Sequence, residues 1–233
     1  MTALRALVFD VFGTIVDWRS GVLSQAHDVE TRTGVRADWA AVVDDWRRSY
    51  EPSLLEARRA SAWRDLDALH RESLVTVLAR HDLVLPPSER EALVRSWRRL
   101  PAWPDARPGL ERLRRRHVTA TLSNGHVALL VDLMRFADLR FDAVLSAQLA
   151  GSYKPDPVVY ATAAELLGLA PQQLGMVAAH GQDLAAAAEV GLRPLFVRRP
   201  QEWGPAGGEE PPHGLASLVV AASFEDLADQ LDA

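Results

Sequence analysis

The chain opens on an apolar run. Leu4 to Val11 reads LRALVFDV, apolar and β-rich with charge only near its ends, and Gly13 breaks the pattern. Such a run predicts a short buried strand. From about Asp17 to Arg99 the apolar spacing becomes helical, as in DWAAVVDDWRRSY from Asp38 and WRDLDALHRESLVTVLARHDL from Trp63. Pro86-Pro87-Ser88 and the stretch from Pro101 to Pro104 punctuate it. This predicts an all-helical insertion of about four helices.

Beyond Pro108 the period alternates. GLERLRRRH reads as a helix, VTATLSN as a strand, VALLVDLMRFADL as a helix and FDAVLSA as a strand. PVVYATAAELLGL, LGMVAA, DLAAAAEVGL and RPLFVRR then continue as helix, strand, helix, strand. The alternation predicts an α/β fold: a Rossmann-like parallel sheet with helices on both faces. The core is expected over residues 1–16 and 100–233, interrupted by a helical unit over 17–99. The Pro- and Gly-rich stretch from Pro200 to Gly214 is expected to be an exposed loop, and FEDLADQL a terminal helix. No internal repeat is visible.

Composition narrows the function classes. The 233 residues are 48% hydrophobic and 24% charged, with net charge −5, the balance of an ordinary globular chain. An acidic chain without a basic stripe does not favour a nucleic-acid partner. There is no cysteine, which removes disulfides, thiolate metal sites and a thiol nucleophile. No run approaches a membrane span, and the start lacks a secretory cleavage pattern. The expectation is a soluble, cytoplasmic protein. Of the 26 Lys+Arg residues a single one is lysine, Lys154. A compact ammonium differs chemically from a guanidinium fork, so its survival in an arginine-rich chain is suggestive.

In open parallel sheets ligands bind beyond the carboxyl ends of the strands. The first strand ends at Asp10, the second at Ser123-Asn124, and the fourth runs toward His180 and Asp183; Lys154 lies in the loop after the third. Each has an ordinary explanation alone, as a cap, a turn or a helix entry. Their joint placement on one rim points to an active site with Asp10 as nucleophile.

Asp10-Val11-Phe12-Gly13-Thr14, Ser123-Asn124-Gly125, Tyr153-Lys154-Pro155-Asp156 and the closing Asp183 resemble, in order and spacing, the four motifs of the haloacid dehalogenase superfamily. The helical insertion then resembles that superfamily's cap domain. Its phosphatases resemble D-x-D at the first motif, with the second aspartate serving as acid and base for the leaving group. Here that position is Phe12, which cannot protonate an alkoxide. The fourth motif, Ala178 to Asp183, offers one carboxylate where Mg²⁺-dependent relatives usually have two, and a divalent cation prefers several hard oxygens. The only lysine lies in the core, which disfavours the cap-lysine chemistry of phosphonate hydrolases.

The first motif followed by Asp17-Trp18-Arg19-Ser20 is similar to the (S)-2-haloacid dehalogenases. That resemblance implies attack of Asp10 on Cα of a short 2-haloacid, an ester intermediate, and its hydrolysis by water activated near Asp183 and Lys154, with no metal or cofactor. Lys154 should hold Asp10 ionised. Thr14 and Ser123 would position the nucleophile and the substrate carboxylate. Arg47 matches the arginine that receives the halide, with Asn124 opposite, although adjacent Arg47 and Arg48 also suit a solvated helix face. Val11, Phe12, Trp63 and Tyr160 are expected to line the substrate pocket.

The fourth motif departs from the best-known members: Ala178 and His180 stand where those carry serine and asparagine, and Gln182 replaces a tryptophan. His180 is a candidate halide or water ligand, in a pocket suited to a smaller halogen such as fluoride, or a histidine satisfied by nearby backbone. His70, His81 and His117 read as surface or packing residues. A homodimer is implied by the resemblance, with the tryptophan-rich insertion as a candidate interface. The competing readings are a Mg²⁺-dependent phosphatase, a hydrolase of another carbon–heteroatom bond, and a binding module on a degenerate scaffold.

Overall fold

In the computed structural model, which describes residues 3–59 and 63–232, the opening apolar run forms β1, Ala6–Phe9, with every residue buried. Ala6 and Val8 pack on one side of the sheet, Leu7 and Phe9 on the other. A strand covered on both faces has no place for a charge, so Arg5 and Asp10 bracket it. β1 lies between β2 (Val118–Ser123) and β4 (Leu174–Ala178), parallel to both. Adding β3 (Ala143–Ser146), β5 (Arg193–Val197) and β6 (Val219–Ala221) gives the order β3-β2-β1-β4-β5-β6 among the described residues. All pairs are parallel. The connection reverses direction between β1 and β4, which opens a crevice at their carboxyl ends.

Helices cover both faces. Leu110 and Leu113 of α6 (Ala106–Leu113), Leu129, Leu130 and Leu133 of α7 (Val127–Phe136) and Phe224 and Leu227 of α10 (Phe224–Asp232) pack against Leu7, Phe9 and Val177. Val159 and Ala163 of α8 (Pro157–Leu166) and Leu184 and Ala187 of α9 (Gly181–Val190) pack against Ala6, Val8 and Met176. Burying each such Leu or Phe contributes about 1.5–3 kcal/mol. β6 was not anticipated, because three residues carry no usable period.

The insertion holds five helices among the described residues, not about four: α1 (Trp18–Thr33), α2 (Trp39–Arg48), α3 (Tyr50–Arg59), α4 (Leu66–Arg80) and α5 (Pro87–Ser96). The extra element arises because Ser49 separates α2 from α3 within what reads as one run. Asp17, Asp38 and Asp65 each accept the backbone N–H three residues on, at 3.0, 3.0 and 2.8 Å. These caps start α1, α2 and α4, each typically stabilising by about 1 kcal/mol. Trp18, Trp39, Trp46 and Trp97 are buried, with Trp97 stacked on His70 at 4.4 Å between centroids. These tryptophans therefore build the interior of the insertion and do not form the exposed face that an interface would need. Residues 1–2 and 233 of the expected core and 60–62 of the expected insertion lie outside the described residues.

Candidate active site

Asp10 is the first residue beyond β1, and its amide still donates to the Val177 carbonyl at 2.9 Å. The chain then turns sharply. Gly13 has φ +86°, a backbone state L side chains rarely adopt, and the Val11 carbonyl accepts from the amides of Ile15 and Val16. The turn brings Thr14 back under the nucleophile. Its Oγ1 donates to Asp10 Oδ2 at 2.7 Å and accepts the Ala179 amide at 2.9 Å. Thr14 thus ties the end of β1 to the end of β4.

Lys154 arrives from the loop between β3 and α8. Its backbone is held by Asn124: the Lys154 amide donates to Asn124 Oδ1 at 2.6 Å, and Asn124 Nδ2 donates to the Lys154 carbonyl. Nζ donates to Asp10 Oδ1 at 2.9 Å and to Asp183 Oδ2 at 2.5 Å. Asp183 sits in the first turn of α9 and also accepts the Tyr160 hydroxyl on Oδ1 at 2.5 Å. One buried ammonium is therefore shared by two buried carboxylates. Burial pushes the Asp10 carboxyl up, but Lys154, His180 and Thr14 together hold it well below the usual carboxylate range. Burial lowers the Lys154 ammonium, and the two aspartates overcome this and raise it. Asp183 is raised by its own burial and by Asp10, against Lys154 and Tyr160. The nucleophile is ionised and the lysine charged.

His180 is the residue on which the sequence left most open. It sits between β4 and α9 with Nδ1 3.1 Å from Asp10 Oδ2, and Nε2 3.0 and 3.2 Å from the two oxygens of Glu202. It is neither backbone-satisfied nor free to face a halide. Two carboxylates, one on each ring nitrogen, outweigh burial and raise its pKa well above the ordinary histidine value. Glu202 is 1% exposed and also accepts the Trp18 indole N–H at 3.1 Å. Its own burial pushes it up, and His180 pulls it below the usual range. Sequence reasoning missed Glu202, since it placed Pro200 to Gly214 in an exposed loop. Much of that loop is exposed, but its first turn folds inward and buries Glu202. One of three glutamates in a Pro- and Gly-rich stretch, Glu202 has no periodic signal to mark it.

A cavity of about 920 Å³ opens above Asp10, lined among others by Phe12, Arg47, Tyr50, Asn124, Tyr160 and His180. The Arg47 guanidinium lies 4.5 Å from the Tyr50 ring centroid and 5.4 Å from that of Trp18, so aromatic faces orient it and it is not a merely solvated arginine. Phe12 meets Trp97 edge-on at 5.8 Å. Tyr160 is more than apolar wall, since its hydroxyl serves Asp183.

Three expected site residues stand apart. Val11 is fully buried in the hydrophobic core and does not line the cavity. Trp63 stacks on Tyr153 at 4.4 Å and lies outside the lining. Ser123 Oγ accepts the Gly125 amide at 3.2 Å, shaping the turn after β2. His70 and His81 lie outside the cavity lining. His70 is buried, with its pKa pushed down to about 3 by that burial and by Arg47, and His81 pairs with Asp45 at 2.8 Å.

Comparison with known proteins agrees with this geometry. Residues 4–191 match the family of haloacid dehalogenase-like hydrolases. The (S)-2-haloacid dehalogenase 4A of Burkholderia cepacia is 30% identical over 84% of this chain and 84% of its own. The crystal structure of the L-2-haloacid dehalogenase PA0810 superposes with a TM-score of 0.93 at 39% identity, covering 99% of both chains. That of the defluorinating L-2-haloacid dehalogenase Rha0230 does so at 36% identity and TM-score 0.93, over 99% of this chain and 96% of the other. No helix among the described residues is long and apolar enough to cross a membrane. An ionised aspartate at the end of β1, held by a buried lysine in this sheet order, is thus accounted for by descent: the chain belongs to the haloacid dehalogenase-like hydrolases, in the branch of the L-2-haloacid dehalogenases.

Proposed function

We propose that the protein hydrolyses short (S)-2-haloacids to 2-hydroxy acids without a metal, with Asp10 as nucleophile. The observation that carries this reading is an Asp10 carboxylate bound by Lys154 and Thr14 with Phe12, not an acid, two residues on. A halide leaves a saturated carbon without being protonated, so the chemistry needs no acid at position 12. The Asp10 carboxylate displaces the halide from Cα with inversion and forms an ester. Arg47, fixed over Tyr50 and Trp18, supplies positive charge where the halide's negative charge develops. Asn124 lies on the core side of the same cavity. Lys154 balances Asp10 and Asp183. Water then cleaves the ester at the Asp10 carboxyl carbon.

The helical unit over 17–99 acts as a cap on the core at 1–16 and 100–233, since α2 and α3 contribute Arg47 and Tyr50 to a cavity whose floor is Asp10 and Lys154. On the family resemblance, the enzyme works as a cytoplasmic homodimer, an assembly that sedimentation of the purified chain tests.

The deciding experiment measures halide release from chloroacetate and from each enantiomer of 2-chloropropionate, with and without EDTA, beside a generic phosphate ester. Expected are chloride release from chloroacetate and the (S)-enantiomer, indifference to EDTA, and no phosphate release. Phosphate release abolished by EDTA would instead make this a phosphatase. The likeness to a defluorinating dehalogenase favours a halogen range that includes fluoride. Robust chloride release from chloroacetate with none of fluoride from fluoroacetate rules that out.

A further inference from the structure

The reaction above hydrolyses an ester; the family resemblance places activation of its water near Asp183 and Lys154, but the geometry here offers another base. We propose that His180 is that base, switched on by alkylation of Asp10, and that Glu202 is the positioning residue that holds its ring; this rests on the dehalogenase reading.

The geometry is a chain of three side chains. Asp10 Oδ2 faces His180 Nδ1 at 3.1 Å, and His180 Nε2 faces Glu202 Oε1 at 3.0 Å. The far end is fixed by the Trp18 indole N–H on Glu202, from the first residue of α1. Gly13 makes room: a Cβ there would lie 2.2 Å from Glu202 Oε1. Other charges around the ring act through these partners. Lys154 acts through Asp10, and Arg47 on α2 through Glu202. On the ring's own helix, Asp183 is bound to Lys154 and Tyr160. The nearby carboxylate of Glu209 takes the Gly181 amide at 2.8 Å. Asp183, the other candidate base, already has a donor on each oxygen.

While Asp10 is a carboxylate, both ring nitrogens face an anion and His180 carries both protons, as its raised pKa reflects. Ester formation removes the negative charge at Asp10 and expels halide. The imidazolium then faces one anion instead of two, and its Nδ1 proton passes to solvent. This is the single proton that hydrolysis of a carbon–halogen bond must release. The neutral ring keeps Nε2–H on Glu202 and presents the Nδ1 lone pair beside the ester. Water gives a proton to Nδ1 while its oxygen bonds to the Asp10 carboxyl carbon. The bond between that carbon and the ester oxygen breaks, and the departing alkoxide takes the proton of the new carboxylic acid. The 2-hydroxy acid leaves, with Asp10 anionic and His180 doubly protonated as at the start.

The test separates the two half-reactions. Wild type, His180→Gln and Glu202→Gln are mixed with chloroacetate, and chloride and intact protein mass are followed from the first turnover. In His180→Gln a burst of one chloride per site is expected, followed by turnover slowed about 10²–10⁴-fold, with a carboxymethyl group retained on the peptide containing Asp10. Glu202→Gln keeps the shape but loses the charge that favours the imidazolium. Its acid limb of kcat should move to lower pH, because the ester-state ring loses its proton more readily, while the plateau falls because the base is weaker. A merely structural Glu202 would leave the limb in place. Unchanged steady turnover in His180→Gln, or loss of the burst in a folded variant, overturns the assignment. Should His180→Gln not fold, an unmoved acid limb in Glu202→Gln overturns it. A wild type that releases no halide at all overturns the dehalogenase reading itself, so the two failures are distinguishable.

Discussion

Gly13 and Glu202 are in close contact across the active-site floor, so that a Cβ on Gly13 would sit 2.2 Å from Glu202 Oε1 and 2.6 Å from its Cδ. The glycine of the first motif therefore has two physical reasons to be there. It takes a φ of +86°, and it leaves space for a carboxylate that arrives from the loop after β5. Gly13→Ala should destabilise the fold by about 1–3 kcal/mol through overpacking, plus the smaller cost of a left-handed alanine. It should also displace Glu202 from His180, so that the residual activity of the folded fraction falls too. Chemical denaturation and turnover of Gly13→Ala check this; wild-type values of both refute it.

Lys154 is the only lysine and the one cation shared by Asp10 and Asp183. Lys154→Met leaves two buried carboxylates without their counter-charge, and breaking such a pair costs about 3–5 kcal/mol. Activity should vanish, because Asp10 is no longer held ionised against its burial. Lys154→Arg should not restore it, since a planar fork cannot replace a compact ammonium between the two carboxylates. Denaturation midpoints and halide release from both variants decide the matter; an active Lys154→Arg would show that charge alone suffices.

Arg47 is oriented by the faces of Tyr50 and Trp18. Arg47→Lys keeps the charge but loses the stacking, and is expected to slow halide departure about 10²-fold. The signature is a slowed chloride burst with no retained ester, the reverse of the His180→Gln phenotype. Rapid-quench measurement of the first turnover distinguishes them, and a normal burst in Arg47→Lys would remove Arg47 from the halide's path.

Stability should depend on pH in a way that names its residues. His180 gains two anionic partners on folding, so its folded pKa lies well above the ordinary value. The stabilisation it provides is complete below about pH 6.5 and is lost as pH rises through the folded value. Asp10 behaves oppositely: its folded pKa is depressed, so its contribution is present above about pH 4 and declines as pH falls further. The stability difference between wild type and His180→Gln should therefore be level from about pH 4 to 6.5 and shrink on the alkaline side. Urea unfolding of both across that span measures it, and a difference that grows with pH contradicts an imidazolium in the resting enzyme.

The sequence by itself determined the sheet, the helical insertion and most of the rim. The β1 run, the four later strand–helix alternations and the four motifs each rest on local pattern, and local pattern survives without coordinates. Asp10, Thr14, Asn124, Lys154 and Asp183 meet because strand ends in a parallel sheet share one edge. Tertiary structure alone decided what the sequence marked weakly or not at all. Trp63 and Val11 looked like lining and are packed elsewhere, because apolarity does not say which cavity a side chain faces. Ser49 splits one helical run in two, and β6 is too short to show a period. Glu202 is the clearest case. It lies 192 residues after Asp10 in a loop without periodicity, and only the fold brings it through His180 to the nucleophile. Electrostatic coupling depends on distance in space, and a sequence read locally carries no record of that distance.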